Sequence, residues 1–288
     1  MLGLALALAF GVMLSFALSD TLAKSVSSKI GSKRATAIML AFSSLSLLSI
    51  FLLDGVQSFG YYSLLLSIAS GIIYALAMFM LYKALETQQV SNTLSLAGIE
   101  WGLLTLFSVL VLAEGLTNID ILSIMGIFAG AFLVTSTEKF KFNRGYIPAI
   151  VAMIAFAISY MILVFAQQGL STPLMPLFIN RFFAFAAIYM YLRRSPEKGS
   201  RFKNVQVARL KPLTLISNAV MGILNGIGSL ALLFLAQLGT LAIGSAIVAA
   251  EPAVVILFGY VFFKERFVKH QILGFLLLIA GTIALTLA

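Results

Sequence analysis

The chain has 288 residues, 61% of them hydrophobic and only 10% charged, with a formal net charge of +9. An ordinary soluble domain carries about 25% charged residues, so 29 Lys, Arg, Asp and Glu side chains cannot clothe a soluble globule of this length. The apolar content excludes disorder. The lack of Cys excludes a disulfide scaffold, a Cys-ligated zinc site and an iron–sulfur centre. A polytopic membrane protein remains, each helix needing roughly 20 apolar residues to cross the hydrocarbon.

Ten long uncharged runs follow in chain order, roughly at 2–22, 35–53, 61–82, 90–112, 119–137, 147–166, 175–192, 213–235, 241–263 and 270–288. They predict an all-α fold of ten transmembrane helices. Span 1 lacks a basic leader and is too long for a cleavable signal; Asp20 lies toward its inner end. Span 3 holds Tyr74, and span 4 holds Asn92, Glu100 and Trp101. Ser159 and Tyr160 lie in span 6, Arg181 opens span 7, and Asn225 lies in span 8. Glu251 lies near the middle of span 9, followed by Pro252. The breaks carry turn or charge signals: Asp54-Gly55, the basic cluster Lys139–Arg144 and the polar stretch Arg193–Lys211. Continuous rather than alternating apolar runs argue against a β-barrel.

The positive charge is sorted rather than spread. The loops after spans 1, 3, 5, 7 and 9 hold 18 of the 19 basic residues, leaving only Arg181 for the other loops and both termini. Lys and Arg are retained on the cytoplasmic side, so both termini are expected outside a plasma (cytoplasmic) membrane. The basic patches read as topology signals and lipid-headgroup contacts. No aromatic–basic motif calls for nucleic acid.

Sliding the sequence on itself by 151 residues gives an echo. Glu100 falls on Glu251, Phe107 on Phe258, Glu114 on Glu265, Ala129-Gly130 on Ala280-Gly281, and Gly71-Ile72 on Gly222-Ile223. Tyr74 and Asn225 share the offset, and Arg34 matches Arg181 at 147. Each repeat has five spans, so the second enters the membrane inverted. That is the plan of many secondary transporters, with a site near midplane between the halves. The expected units are 1–137, a cytoplasmic linker 138–146, and 147–288.

The segment Ile243–Ala284 carries a family resemblance. Its small-residue entry, Glu251-Pro252, the Gly259 helix, Glu265-Arg266 and the Gly274…Gly281 helix are similar to the last hairpin of EamA-like transporters of the drug/metabolite transporter superfamily. The first repeat holds a weaker copy in Ala84-Leu85, Glu114 and Gly126…Gly130, departing at Trp101 for Pro252. The resemblance implies a carrier of small organic solutes, including amino acids and other metabolites, and suggests export.

Acids inside spans are costly and must face protein or a wet cavity. Glu100 and Glu251 are the expected substrate-binding and proton-coupling residues. The other reading of Glu251 is a protonated side chain bonded to a carbonyl that Pro252 frees. Trp101, the only Trp, is an expected cavity wall. Tyr74, Asn92, Asn225 and Tyr160 are further substrate-binding candidates. Arg181 is a gate candidate, or else a cation snorkelling at the interface. Asp20 is assigned to Lys24 or to water at the helix end. Glu114 and Glu265 read as turn-stabilising, and Gly126–Gly130 and Gly222–Gly226 as helix packing. No catalytic residue, metal site or cofactor is expected. A channel or lipid scramblase is the alternative. An intramembrane enzyme is disfavoured by the missing Cys, HExxH and interior Lys. The expected partners are a small-molecule substrate, the lipid bilayer and, in an antiport cycle, protons; the chain acts as monomer or homodimer.

Overall fold

The computed structural model describes residues 2–54, 60–87, 93, 96–135, 146–194, 211–263 and 269–287. Its helices are α1 (Leu2–Ile30), α2 (Ser32–Asp54), α3 (Tyr61–Thr87), α4 (Ala97–Leu110), α5 (Asn118–Thr135) and α6 (Ile147–Ala166). There follow α7 (Leu174–Arg194), α8 (Pro212–Gln237), α9 (Leu241–Val248), α10 (Glu251–Phe263) and α11 (Lys269–Leu287). The helices α9 and α10 are two halves of one span, so the eleven segments make ten spans. Seven are long and apolar enough to cross a membrane, and Ile99–Leu110, Asn118–Val134 and His270–Leu285 are shorter apolar helices.

Apolar runs locate the spans but not the helix ends. Between α1 and α2 the expected loop is a single residue, Gly31, at φ 83°. Lys24 and Lys29 therefore stand on α1 itself, because a helix continues beyond the hydrocarbon wherever nothing breaks it. Span 9 does break. Pro252 has no N–H, and its ring clashes with the carbonyl four residues earlier, that of Val248. Val248 is the last residue of α9. In span 4, Leu96 forms a turn before α4 begins at Ala97.

The two five-span halves pack mainly on each other. The larger contacts join α5 to α11, α3 to α6, α1 to α8, α3 to α7, α2 to α8 and α2 to α7. Moving each span five places along turns α3–α6 into α8–α1 and α3–α7 into α8–α2, while α5–α11 and α2–α7 map onto themselves. This is the contact pattern of a pseudo-two-fold axis running between inverted halves.

Small residues let the backbones meet, as in other membrane helix pairs. A Cβ on Gly71 would lie 2.4 Å from the Asn180 carbonyl oxygen on α7. On its repeat partner Gly222 it would lie 2.5 Å from the Met39 carbonyl oxygen on α2. On α5 and α11, a Cβ on Gly130 would meet the Gly274 oxygen at 2.8 Å. These glycines are thus consumed by packing within one chain.

The basic clusters that the structure describes share one end. The Lys24 ammonium donates to the Leu85 carbonyl, the Ser32 amide donates to Glu86 Oε2 at 3.1 Å, and Lys33 lies 4.6 Å from the Tyr191 ring centroid. The opposite end joins the connections after α4, α6 and α8. The clusters at 139–144 and 198–209, and Lys264 and Arg266, lie outside the described residues.

Gly71→Leu and Gly222→Leu are each expected to destabilise the purified protein by at least the roughly 1–3 kcal/mol of an overpacked core. Gly11, with nothing within 4 Å of an added Cβ, is the control. Thermal unfolding in detergent checks this; equal effects at Gly11 and Gly222 would count against the packing.

Candidate functional site

A helix start in each half sets the site. Glu100 falls in the first turn of α4, and Glu251 is the first residue of α10. A helix start has free N–H groups and the positive end of the helix dipole, so a carboxyl group gains there even in an apolar setting. Both are nearly buried, 6% and 3% exposed. They line one cavity between the repeats with Asp20, Tyr74, Trp101, Tyr160 and Asn225, closed by Phe16, Met78, Leu81, Met153 and Phe156. Its free space is about 30 Å³, room for a water or so.

Asp20 is the residue that sequence reasoning placed elsewhere. It does not end a helix beside Lys24. The helix runs ten residues further, and Asp20 lines the same cavity as Glu100 and Glu251. Three like charges around one small cavity repel strongly in a low-dielectric interior. The cluster therefore calls for cations, either protons or a cationic group. Among the described residues no three acids or histidines are arranged to hold a metal ion.

The aromatic wall is built around these acids. Trp101 is 1% exposed and stacks on Phe16 with centroids 5.9 Å apart. Its indole N–H is buried with no hydrogen-bond partner among the described residues. Opposite it, Tyr74 packs against Phe156 at 5.3 Å and Tyr160 at 6.0 Å.

Tyr74 donates its hydroxyl to Asn225 Oδ1 at 2.8 Å. The two positions are 151 residues apart, the repeat offset, so each touches its own symmetry equivalent. Only positions beside the pseudo-two-fold axis can do this. Glu100 and Glu251 are also equivalents lining one cavity, so the site sits on the axis.

Arg181 does not snorkel. It is fully buried one layer behind the cavity, with its guanidinium 3.5 Å from the Tyr74 ring centroid. It donates to Asn180 Oδ1, to the Ser229 hydroxyl and, at 3.4 Å, to the Tyr160 hydroxyl, while Nε stays unpaired. A cation on an aromatic face is held electrostatically, more strongly when desolvated. The same tyrosines thus touch Arg181 on one side and the acidic cavity on the other.

The expected site residues Tyr74, Glu100, Trp101, Tyr160, Asn225 and Glu251 therefore come together. Asn92 lies outside the described residues. Ser159 turns to α3 instead, exchanging hydrogen bonds with Ser70. Sequence reasoning missed Asp20, Phe16, Met153 and Phe156. The usable signal for Asp20 was an acid in an apolar run with no helix breaker until Gly31.

Ten spans in two inverted halves, with buried acids and aromatics on the axis between them, define an inverted-repeat α-helical membrane protein. The EamA-like transporter family matches residues 3–136 and 143–287. The chain belongs to that family and so to the drug/metabolite transporter superfamily; it is an integral membrane protein of a transporter family. A crystal structure of a protein at 18% identity superposes with a TM-score of 0.75, covering 98% of this chain and 96% of that one, which is a likeness of fold. No curated protein matches the chain in sequence.

Tyr74→Phe removes the hydrogen bond to Asn225 Oδ1 and is expected to cost about 0.6 kcal/mol, the usual size of an interhelical hydrogen bond in a membrane protein. Unfolding of the purified variant beside Asn225→Ala and the double variant checks it. Additive losses would mean that the two side chains do not interact.

Proposed function

We propose that the protein is a secondary carrier of small organic solutes, such as amino acids or related metabolites. It works by alternating access around the axial cavity and exports its cargo across the plasma membrane. The observation that carries this is the convergence of Asp20, Glu100 and Glu251 with a wall of aromatic rings on the axis between inverted halves. A space of about 30 Å³ is far too small for a metabolite. The halves must part to admit one, and rocking of inverted repeats about a fixed site does that.

The acids suit an amino group on the substrate, and the faces of Trp101, Tyr74 and Phe16 suit its carbon body. The open indole N–H suits an acceptor on the same molecule. Glu100 and Glu251 take a proton when the substrate leaves, which couples the cycle to a proton gradient. Arg181, fixed behind Tyr74 and Tyr160, holds these rings in place and gates the path beside them. Both termini lie outside, with the basic end in the cytoplasm. The chain works as a monomer or homodimer.

The test is flux in proteoliposomes with and without a pH gradient. Glu100→Gln and Glu251→Gln are each expected to lower flux about tenfold and to flatten its response to the gradient, within the usual range of coupling between sites. Flux indifferent to the gradient would remove the proton coupling. Flux that neither saturates nor shows counterflow would turn the reading to a channel or lipid scramblase.

Two further outcomes are expected. Trp101 is the only Trp, so substrate binding should change the intrinsic fluorescence, and Trp101→Phe should abolish the signal. The natural chain has no Cys, so Ser171→Cys should react with an impermeant thiol reagent on intact cells and Lys211→Cys should not; the reverse pattern would invert the topology.

A further inference from the structure

At the end of the molecule opposite the basic face, the two repeats are joined by one carboxylate. Glu114 lies in the connection after α4, in the first repeat. Its Oε1 accepts the amide N–H of Leu241 at 3.0 Å, and its Oε2 accepts that of Ala242 at 2.8 Å. These are the first two residues of α9, in the second repeat. A helix start needs acceptors for its free N–H groups, and the usual local source is the side chain just before it. Here Thr240 makes no such bond; its hydroxyl turns back to the Leu235 carbonyl. The cap comes from the other half of the molecule.

The connection is wound to present that carboxylate. Ala113 has φ 54°, the one positive φ on a non-glycine among the described residues. An L-residue adopts this region only at a cost. The Glu114 amide in turn donates to the Ser108 carbonyl at 3.2 Å. Strain of this kind persists where the surroundings impose it, commonly at switch regions.

The contact also lies at one end of the α4–α9 pair whose other end carries Glu100 and leads to Glu251. One turn and more below it, Thr105 Oγ1 and Ser245 Oγ meet at 2.8 Å between α4 and α9. Below these come Glu100 and Glu251. Above lies a vestibule of about 490 Å³ bordered by Glu114, Gln167, Gln168, Ser171 and Gln237. Glu114 thus stands between the vestibule, which it lines, and the start of α9, the half-helix that leads past Ser245 toward Glu251. Glu114 itself borders this vestibule, whereas the Leu241 and Ala242 residues whose amides it caps are buried. Water from the vestibule can hydrate the Glu114 carboxylate when the α4–α9 seam opens.

We propose that Glu114 is a gating residue: its carboxylate latches α9 against the first repeat and holds the path shut at this face. The proposal rests on the carrier reading. It changes the role read from sequence, in which Glu114 stabilised its own turn.

The test uses the natural absence of Cys. Met78→Cys puts one thiol in the cavity wall, and its rate of reaction with an impermeant, charged methanethiosulfonate added at the Glu114 face is measured in vesicles of known orientation. Adding Glu114→Gln is expected to speed that reaction about fivefold or more, the lower end of usual coupling between sites, without speeding it from the basic face. Thr240→Asp gives α9 a cap of its own. If Glu114 is a latch, the triple variant Met78→Cys, Glu114→Gln, Thr240→Asp regains thermal stability yet stays fast. A rate unchanged by Glu114→Gln overturns the latch, as does a rate that Thr240→Asp returns to the starting value, which would make Glu114 a helix cap and nothing more. Flux is measured in the same vesicles. Intact flux with no change in labelling sinks the latch alone, whereas no flux from the parent chain sinks the carrier reading.

Discussion

A helix in hydrocarbon must satisfy its own backbone, and the rest of this structure depends on where the chain gives that up. Span 9 stops at Val248 and restarts at Glu251. Each interruption in a membrane leaves amides and carbonyls that need protein or water as partners. Such a place is affordable only inside the molecule, against a polar cavity. The second half-helix then begins with its positive end at that cavity, and an acid stands on it. In the first repeat, Leu96 turns and Glu100 occupies the first turn of α4 in the same way. Two helix starts near a pseudo-two-fold axis thus bring two carboxyls to one cavity.

Everything else keeps that point dry, shaped and movable. The main helix contacts run between repeats rather than within them, so each half is largely a wall for the other. Glycines at equivalent places, Gly71 and Gly222, bring α3 to α7 and α8 to α2 at backbone distance. Arg181 adds a permanent positive charge behind the tyrosines, served by hydroxyls, an amide and a ring face. A buried guanidinium is costly, and here the Tyr74 ring face and the Asn180, Ser229 and Tyr160 side chains serve it.

The sequence made the architecture legible because hydropathy and charge sorting act over many residues. The spans, the inverted repeat and the Glu100–Glu251 pair all follow from long runs or from a fixed offset. Tyr74 and Asn225 shared that offset too, although nothing in the letters said that they would bond. What failed was local. Gly31 ends α1 where the apolar run had suggested Leu22, because the end of a hydrophobic stretch is set by lipid and the end of a helix by backbone. That error hid Asp20. Arg181 looked interfacial because its charge stood near a span end, and only tertiary packing places ring faces and hydroxyls around it. Glu114 was read in its own turn because its partners are 127 and 128 residues away.

The Tyr74–Asn225 bond has one more consequence. Two identical polypeptides set antiparallel in a bilayer can put only like against like on their dyad: tyrosine facing tyrosine, or asparagine facing asparagine. Joining the halves in one chain lifts that restriction, and a donor can face an acceptor at the centre. With unlike residues there, the inward- and outward-facing arrangements are no longer mirror images in energy. A fused duplicate can therefore have a resting side, which a symmetric pair cannot.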